Sequence, residues 1–97
     1  MENMGHLLSF VTNTSGDYLA IHADLAGIDL LIRELGLLRH ALLQDQVEHT
    51  HLQYIDVPGD ELSPTKLENQ PDEVNVVTHV KIYAWNDHWA RHHKLKK

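Results

Sequence analysis

Residues 24–44 carry aliphatic side chains at steps of three and four, and this spacing constrains the fold more than any other feature of the sequence. The stripe consists of Leu25, Ile28, Leu31, Ile32, Leu35, Leu38 and Leu42. On an α-helix these positions share one side, so the pattern predicts an amphipathic helix about 30 Å long. Asp24 is well placed to cap its first turn. Because such a helix is unstable in water with its stripe exposed, the rest of the chain must cover it.

Two glycines, Gly27 and Gly36, fall inside this predicted helix. Each costs about 1 kcal/mol relative to Ala. A glycine in an otherwise strong helix often lets another backbone approach closely, and we expect such a contact here.

Four other segments have the composition of β-strands: residues 6–12, 17–22, 47–55 and 73–85. The turn residues NTSG between the first two predict an antiparallel hairpin. In the last segment, the even-numbered residues from 74 to 84 are predicted to face the helix. The order ββαββ predicts a two-layer α+β domain, in which one long helix packs on one face of a four-stranded, mainly antiparallel sheet. The other face of the sheet is expected to be at least partly open.

The segment from residue 58 to residue 72 is rich in Pro, Gly and acidic residues, which predicts a long loop. We allow for a turn of helix over residues 61–68. Long loops in small domains are often binding surfaces. We expect residues 1–90 to form a single α+β domain and residues 91–97 to form a flexible basic tail.

The composition narrows the possible environments of the chain. Its 97 residues suffice for one domain with one core, and it contains no cysteine. We find no pattern of a signal peptide and no apolar run of the length that spans a bilayer. We therefore expect a cytoplasmic protein with no membrane contact.

The net charge of −6 is unevenly distributed. All 14 acidic residues and four of the eight basic residues lie within the first 90 positions, which gives that part a net charge of −10. The last seven residues carry +4. An acidic body repels nucleic acid and attracts basic surfaces, so we expect a basic protein partner and no nucleic acid.

Nine histidines make a metal site worth considering. His49 and His51 project from the same face of a strand, and His79 joins them if the last two strands pair in a suitable register. Three imidazoles and a water form a catalytic zinc pattern, whereas the alternative is a set of polar residues on the solvated side of a sheet. His88 and His92 are four residues apart and can share a helical face.

Other chemistry has little support in the sequence. There is no G-x-S-x-G nucleophile turn and no phosphate-binding glycine motif, and we expect no cofactor. The adjacent acids Asp60 and Glu61 suit a recognition edge for a basic partner better than catalysis. Tyr83, Trp85 and Trp89 suit interface anchors, although Trp85 is equally suited to closing one end of the core.

Several stretches are similar to a known family: AIHADLAGIDLLIRELGLLRHAL, EHTHLQY, DELS and HVKIYAW. Together they span residues 19–85 and resemble the immunity protein 32 family of bacterial polymorphic toxin systems. The matching positions are Asp24, Gly27, His49, His51, Leu52, Glu61, Leu62, Val80, Lys81 and Ile82. The resemblance implies a non-enzymatic cytoplasmic protein that binds a cognate toxin domain delivered by a neighbouring cell.

We therefore predict a protein that neutralises a toxin by covering its active site or substrate-binding surface. The candidate toxin-binding residues are Asp56, Asp60, Glu61, His79, Tyr83, Trp85 and Trp89. The free protein is expected to be a monomer or a weak dimer. One alternative is a small metal-dependent enzyme that uses His49, His51 and His79. Another is a dimerisation module that pairs through an edge strand.

Overall fold

The computed structural model describes residues 5–66 and 74–96. The end of the predicted loop, residues 67 and 68 of its predicted helical turn and the first residue of the last predicted strand lie outside the described residues, as do residues 1–4 and Lys97. The elements in chain order are β1 (Leu8–Asn13), β2 (Leu19–Ala23), α1 (Leu25–Leu43), β3 (Glu48–Gln53), β4 (Val74–Val77), β5 (His79–Ala84) and α2 (Asp87–His92). The prediction of an α+β fold with antiparallel strands and one long helix is confirmed.

The start of α1 is held close to the residue that precedes β1. The Asp24 carboxylate accepts hydrogen bonds from the amides of Leu7 and Gly27, at 3.0 and 2.8 Å, and these amides lower the pKa of Asp24. A Cβ on Gly27 would lie 1.8 Å from the Leu7 carbonyl oxygen. The expected close backbone approach is therefore found at Gly27. At Gly36, no atom of the described residues lies within 4 Å of the Cβ position.

The buried side of α1 is rotated away from the predicted stripe. Gly27, Leu38 and Ala41 are buried, and Glu34 is half-buried in the middle of the same side. The Glu34 carboxylate accepts a hydrogen bond of 2.6 Å from the Thr50 hydroxyl, so this half-buried carboxylate has a hydrogen-bond partner on β3. The stripe prediction is correct for Leu38 and in part for Leu31 and Leu42, and wrong for the other members. Leu25, Ile28, Ile32 and Leu35 are exposed.

The prediction of a single four-stranded sheet is wrong. Within the described residues there is a three-stranded sheet of order β2-β1-β4 and a two-stranded sheet of order β3-β5, and the pairings in both are antiparallel. The predicted last strand divides at Thr78 into β4 and β5. The Thr78 carbonyl accepts a hydrogen bond of 2.9 Å from the Tyr54 amide, which follows β3.

The faces of the strand are exchanged at this division. Val77 pairs with Phe10 and packs against the core, whereas Val76 pairs with Val11 on the opposite face. In β5 the even-numbered residues Val80 and Ile82 pack against the core, as predicted. The predicted inward face is thus correct for β5 and wrong for β4. Thr78 belongs to neither pairing register. This one extra residue shifts the alternation by one step, so the side chains that face the core are odd-numbered before it and even-numbered after it.

The core is centred on Leu8, Phe10, Leu52 and Leu62. Residues 61–66 contain no helix, contrary to the helical turn that we predicted over residues 61–68. Instead, this segment runs beside the strands and inserts Leu62 into the core. The Leu62 amide donates to the Gln53 carbonyl at 3.1 Å, and the Ser63 amide donates to the Leu8 carbonyl at 2.8 Å.

The outer faces of the two sheets differ. Ser9 and Val11 lie on the outer face of the three-stranded sheet and have no exposed surface, and the Ser9 hydroxyl donates to the Thr65 carbonyl at 2.7 Å. At β1 this face is covered, so the open face that we expected is limited to part of the strands. The outer face of β3 and β5 carries exposed residues, including His51 and Tyr83.

Helix α2 includes Arg91 and His92, the first residues of the predicted tail. The Asn86 side chain caps it by accepting from the Trp89 amide, and the Leu95 amide donates back to the Ala90 carbonyl. The flexibility of the tail stays a prediction. Neither α1 nor α2 combines the length and the apolar character needed to cross a bilayer.

Candidate functional site

The exposed face of the two-stranded sheet is built by simple alternation along β3 and β5. Thr50 and Leu52 point towards α1 and the core, so His49 and His51 point outwards. The pairing of His51 with Lys81 and of His49 with Tyr83 places the outward residues of β5 on the same face. Strand pairing therefore brings together polar and aromatic side chains that are 28–34 residues apart in the chain.

These outward side chains form a connected row of rings. The ring centroids of His79 and His51 are 5.0 Å apart, those of His51 and His49 5.1 Å, and those of His49 and Tyr83 5.8 Å. Tyr83 stacks on Trp85 at 6.0 Å with an interplanar angle of 26°. The Lys81 ammonium lies 4.7 Å from the centre of the Tyr83 ring, a cation–π contact.

Helix α2 continues the row. The rings of Trp85 and His93 are 5.2 Å apart, and those of His93 and Trp89 are 5.9 Å apart. Trp89 in turn contacts His88 and His92, each at 5.2 Å. We call the nine connected rings the ring surface: His49, His51, His79, Tyr83, Trp85, His88, Trp89, His92 and His93. Strand pairing and the buried Ala90 of α2 fix the backbones that carry it.

The histidines at the β3–β5 end of the ring surface are coupled to one another. His51 Nδ1 and His79 Nε2 are 2.8 Å apart, so the N–H of one imidazole donates a hydrogen bond to the ring nitrogen of the other. Partial desolvation lowers the pKa of His51, and the nearby Lys81, His79 and His49 lower it further. The environment therefore favours a neutral His51 at neutral pH.

The structure supplies only part of the geometry that a metal site at His49, His51 and His79 requires. Strand pairing does bring His49, His51 and His79 onto one face, as such a site requires. However, two of the imidazoles are hydrogen-bonded to each other. Within residues 5–66 and 74–96, no group of three or more His, Asp or Glu side chains is arranged to hold a metal ion.

The three acidic candidates are not members of the ring surface and belong to the loop after β3. The Asp60 carboxylate accepts from the amides of Ile55 and Val57, at 3.2 and 3.0 Å. Asp56 accepts from the Tyr54 hydroxyl at 3.0 Å, which raises the pKa of Tyr54, and Glu61 accepts from the Gln53 amide at 3.1 Å. These carboxylates hold the loop in shape.

A cleft of about 510 Å³ lies between the chain before β1 and this loop. It is lined in part by His6, Tyr54, Asp56, Asp60 and Leu62. The His6 ring is 2.6 Å from the Glu61 carbonyl oxygen, so the polar groups of the cleft bond mainly to one another. Such mutual pairing suits a structural role for these groups.

The structure thus brings together four of the seven sequence-predicted binding residues: His79, Tyr83, Trp85 and Trp89. Sequence reasoning considered His49 and His51 as metal ligands or as solvated polar residues, not as binding residues, and did not connect His93 with the aromatic residues. The alternation of His49 with His51, and the helical spacing of Trp89 and His93, carried the signal. The register that places the histidines of β3 beside the outward residues of β5 could not be predicted from the sequence of either strand alone.

A comparison of the chain with protein-family models, with curated proteins and with solved structures found no match. The resemblance to the immunity protein family therefore depends only on the sequence stretches quoted above.

Proposed function

We propose that this chain is an immunity protein, which binds a cognate bacterial toxin domain and blocks the active site or substrate-binding surface of that toxin. The observation that carries the proposal is the ring surface. Tyr83 and Trp89 are 50% and 42% exposed on elements with fixed backbones, so they bring large contact areas with little loss of conformational freedom on binding.

The chemistry of the ring surface supports a protein partner. Tyrosine and tryptophan are the side chains most often found at the energetic centre of protein interfaces, because an apolar ring and a polar tip serve both packing and hydrogen bonding. The imidazoles around them can donate or accept hydrogen bonds. Six histidines therefore give the rim of the surface adaptable polar contacts.

The charge of the molecule also supports the proposal, although its acidic residues contribute in different ways. A net charge of −6 steers the chain towards a basic partner over long distances. Asp56, Asp60 and Glu61 contribute to this field and shape the loop after β3. They are secondary contacts in the proposed complex, and the rings are the anchors.

The test is protection and binding with the toxin domain encoded beside the gene for this chain. Co-expression of the chain should restore the growth of cells that produce that domain. Changing Tyr83 and Trp89 together to Ala should weaken binding at least 100-fold in calorimetry, since each is expected to be worth about 2 kcal/mol. The matched control is Leu37→Ala, an exposed aliphatic residue on α1 that lies outside the ring surface.

Two results would contradict the proposal. If the chain neither restores growth nor forms a complex with that domain, the function is different. If it does both and the double variant binds as tightly as the original chain, the ring surface is not the docking face.

A further inference from the structure

Helix α1 exposes a row of aliphatic side chains on the side turned away from Glu34. We call this row the α1 stripe, and it consists of Leu25, Ile28, Ile32, Leu35 and Leu43, with the exposed Arg39 between the last two. Leu25, Ile32 and Leu43 are 76, 61 and 68% exposed. The exposed apolar area of the five side chains is on the order of 500 Å², which is at the upper end for a monomeric protein. An apolar surface of this extent indicates an interaction site.

Gly36 lies beside the α1 stripe, one turn after Ile32. Gly27 is explained by its contact with Leu7, but Gly36 meets no atom within 4 Å of its Cβ position in the described part of the chain. A glycine in the middle of an exposed helix weakens that helix and provides room for a second backbone. Together with the α1 stripe, Gly36 points to a second helix at this position.

The charges along α1 identify which helix would fit. Arg33 and Glu34 pair with each other at 3.3 Å in the middle of the helix. Of the other charged residues, Asp24 and Asp29 lie towards the N-terminal end, and Arg39 and His40 lie in the C-terminal half. Two copies of α1 side by side in the same direction would place like charges together. In the opposite direction, each acidic half meets a basic half, and the helix dipoles are also antiparallel.

We propose that α1 pairs with α1 of a second copy of this chain in an antiparallel arrangement, about a two-fold axis at the level of Glu34. Residue 34 is the midpoint of Leu25–Leu43, so this register overlaps the two helices over their whole length. Leu25 then lies level with Leu43 of the second copy, and Ile32 lies level with its Gly36. Asp29 lies level with Arg39 of the second copy, and because of the two-fold symmetry each of these contacts occurs twice in the dimer.

The size of the surface sets the strength of the dimer. Two α1 stripes contribute on the order of 1,000 Å² of apolar area, close to the lower limit for a specific protein interface. We expect a dissociation constant of about 1–100 μM, because association must also overcome the loss of free motion. The dimer leaves the ring surface accessible, because α1 packs against the opposite face of β3 and β5. The proposal is independent of the toxin-binding function.

The first test is the oligomeric state of the full chain by sedimentation equilibrium. The original chain should change from monomer to dimer over the micromolar range. Ile32→Asp should raise the dissociation constant at least 100-fold, because it places a charge in the middle of the α1 stripe. The matched control is Leu37→Asp, on the same helix at nearly the same exposure but outside the stripe, and it should leave the dimer unchanged. Circular dichroism verifies that both variants are folded.

The second test determines the direction of the two helices. The chain has no cysteine, so an introduced cysteine is its only thiol. A mixture of Leu25→Cys and Leu43→Cys chains should oxidise to a disulfide-linked heterodimer several times faster than either variant forms a homodimer. A parallel pair would instead favour the two homodimers.

Three outcomes would overturn the proposal. One is a chain that stays monomeric up to several hundred micromolar. Another is a dimer that Ile32→Asp does not weaken, which would place the contact on another surface, such as an edge strand. The last is faster crosslinking within the Leu25→Cys sample than in the mixture.

Discussion

The two sheets differ in how many of their faces are covered. In the three-stranded sheet, β1 buries both faces, with Phe10 towards the core and Val11 on the outer face. In the two-stranded sheet, β3 buries Leu52 and exposes His49 and His51. The sequences show the same difference, because LSFV in β1 is mostly apolar whereas EHTHLQ in β3 has a single apolar residue, Leu52. A strand with apolar contacts on one side keeps its other face free for binding, and a continuously apolar strand does not.

The largest expected effect concerns the contact that fixes α1 beside β1. Gly27→Ala should lower the free energy of unfolding by about 3 kcal/mol or more, because the new methyl group would overlap the Leu7 carbonyl and force the helix away. Gly36→Ala is the matched control. It should raise the free energy of unfolding by up to about 1 kcal/mol, because helix propensity improves and the described residues leave room for the methyl group.

Urea unfolding of both variants at low micromolar concentration measures these changes. Equal effects of the two substitutions would mean that the close approach of α1 to Leu7 does not exist in solution.

A second prediction compares the outer faces of the two sheets directly. Val11→Ala should cost about 2 kcal/mol, because it removes two methyl groups from a side chain with no exposed surface. Tyr83→Ala removes a larger but half-exposed side chain from the other sheet and should cost less than about 1 kcal/mol. Thermal or urea unfolding measures both. A reversed order of the two values would show that the ring surface, and not the outer face of β1, is the covered one.

The smallest expected effect is the titration of His51. Its pKa is lower in the fold than its ordinary value of 6.5, first through partial desolvation and then through Lys81. The folded state therefore binds fewer protons than the unfolded state, so the contribution of His51 to stability decreases as the pH falls through 6.5. NMR titration of the imidazole proton should give a pKa below 6.5.

Replacing Lys81 by Gln should raise the pKa of His51 towards 6.5, because one of the positive charges that disfavour protonation is removed. Lys94→Gln, which removes a lysine that does not influence His51, is the control. A pKa of His51 at or above 6.5 in the original chain would contradict the packing of the imidazoles on the exposed sheet.

Much of the architecture could be predicted from local pattern. The helix, the N-cap at Asp24, the hairpin and the inward face of β5 all follow from spacing and turn residues within one segment. The division at Thr78 was not predicted. The alternation is interrupted there, because Val76 and Val77 are followed by two polar residues, but this interruption does not show which strand each half pairs with. Only the pairing of β4 with β1 and of β5 with β3 shows that one residue is left between two registers.

The candidate site was partly predictable for the same reason. Tyr83, Trp85 and Trp89 are close in sequence, and their aromatic character alone identified them. His49, His51 and His93 belong to the same surface only because β3 lies beside β5 and α2 folds back on Trp85. The loop acids Asp60 and Glu61 were selected by charge, but hydrogen bonds to nearby amides give them a structural role.

The sequence by itself determined that residues 25–43 form a helix, because helix propensity, capping and hydrophobic spacing are local properties. Tertiary structure decided which side of that helix is buried. The single hydrogen at Gly27 allows contact with Leu7, and the Thr50 hydroxyl satisfies Glu34. These two contacts turn the helix so that much of its most regular aliphatic row faces outwards. A pattern in one segment cannot encode that rotation, because it depends on atoms that the rest of the chain supplies.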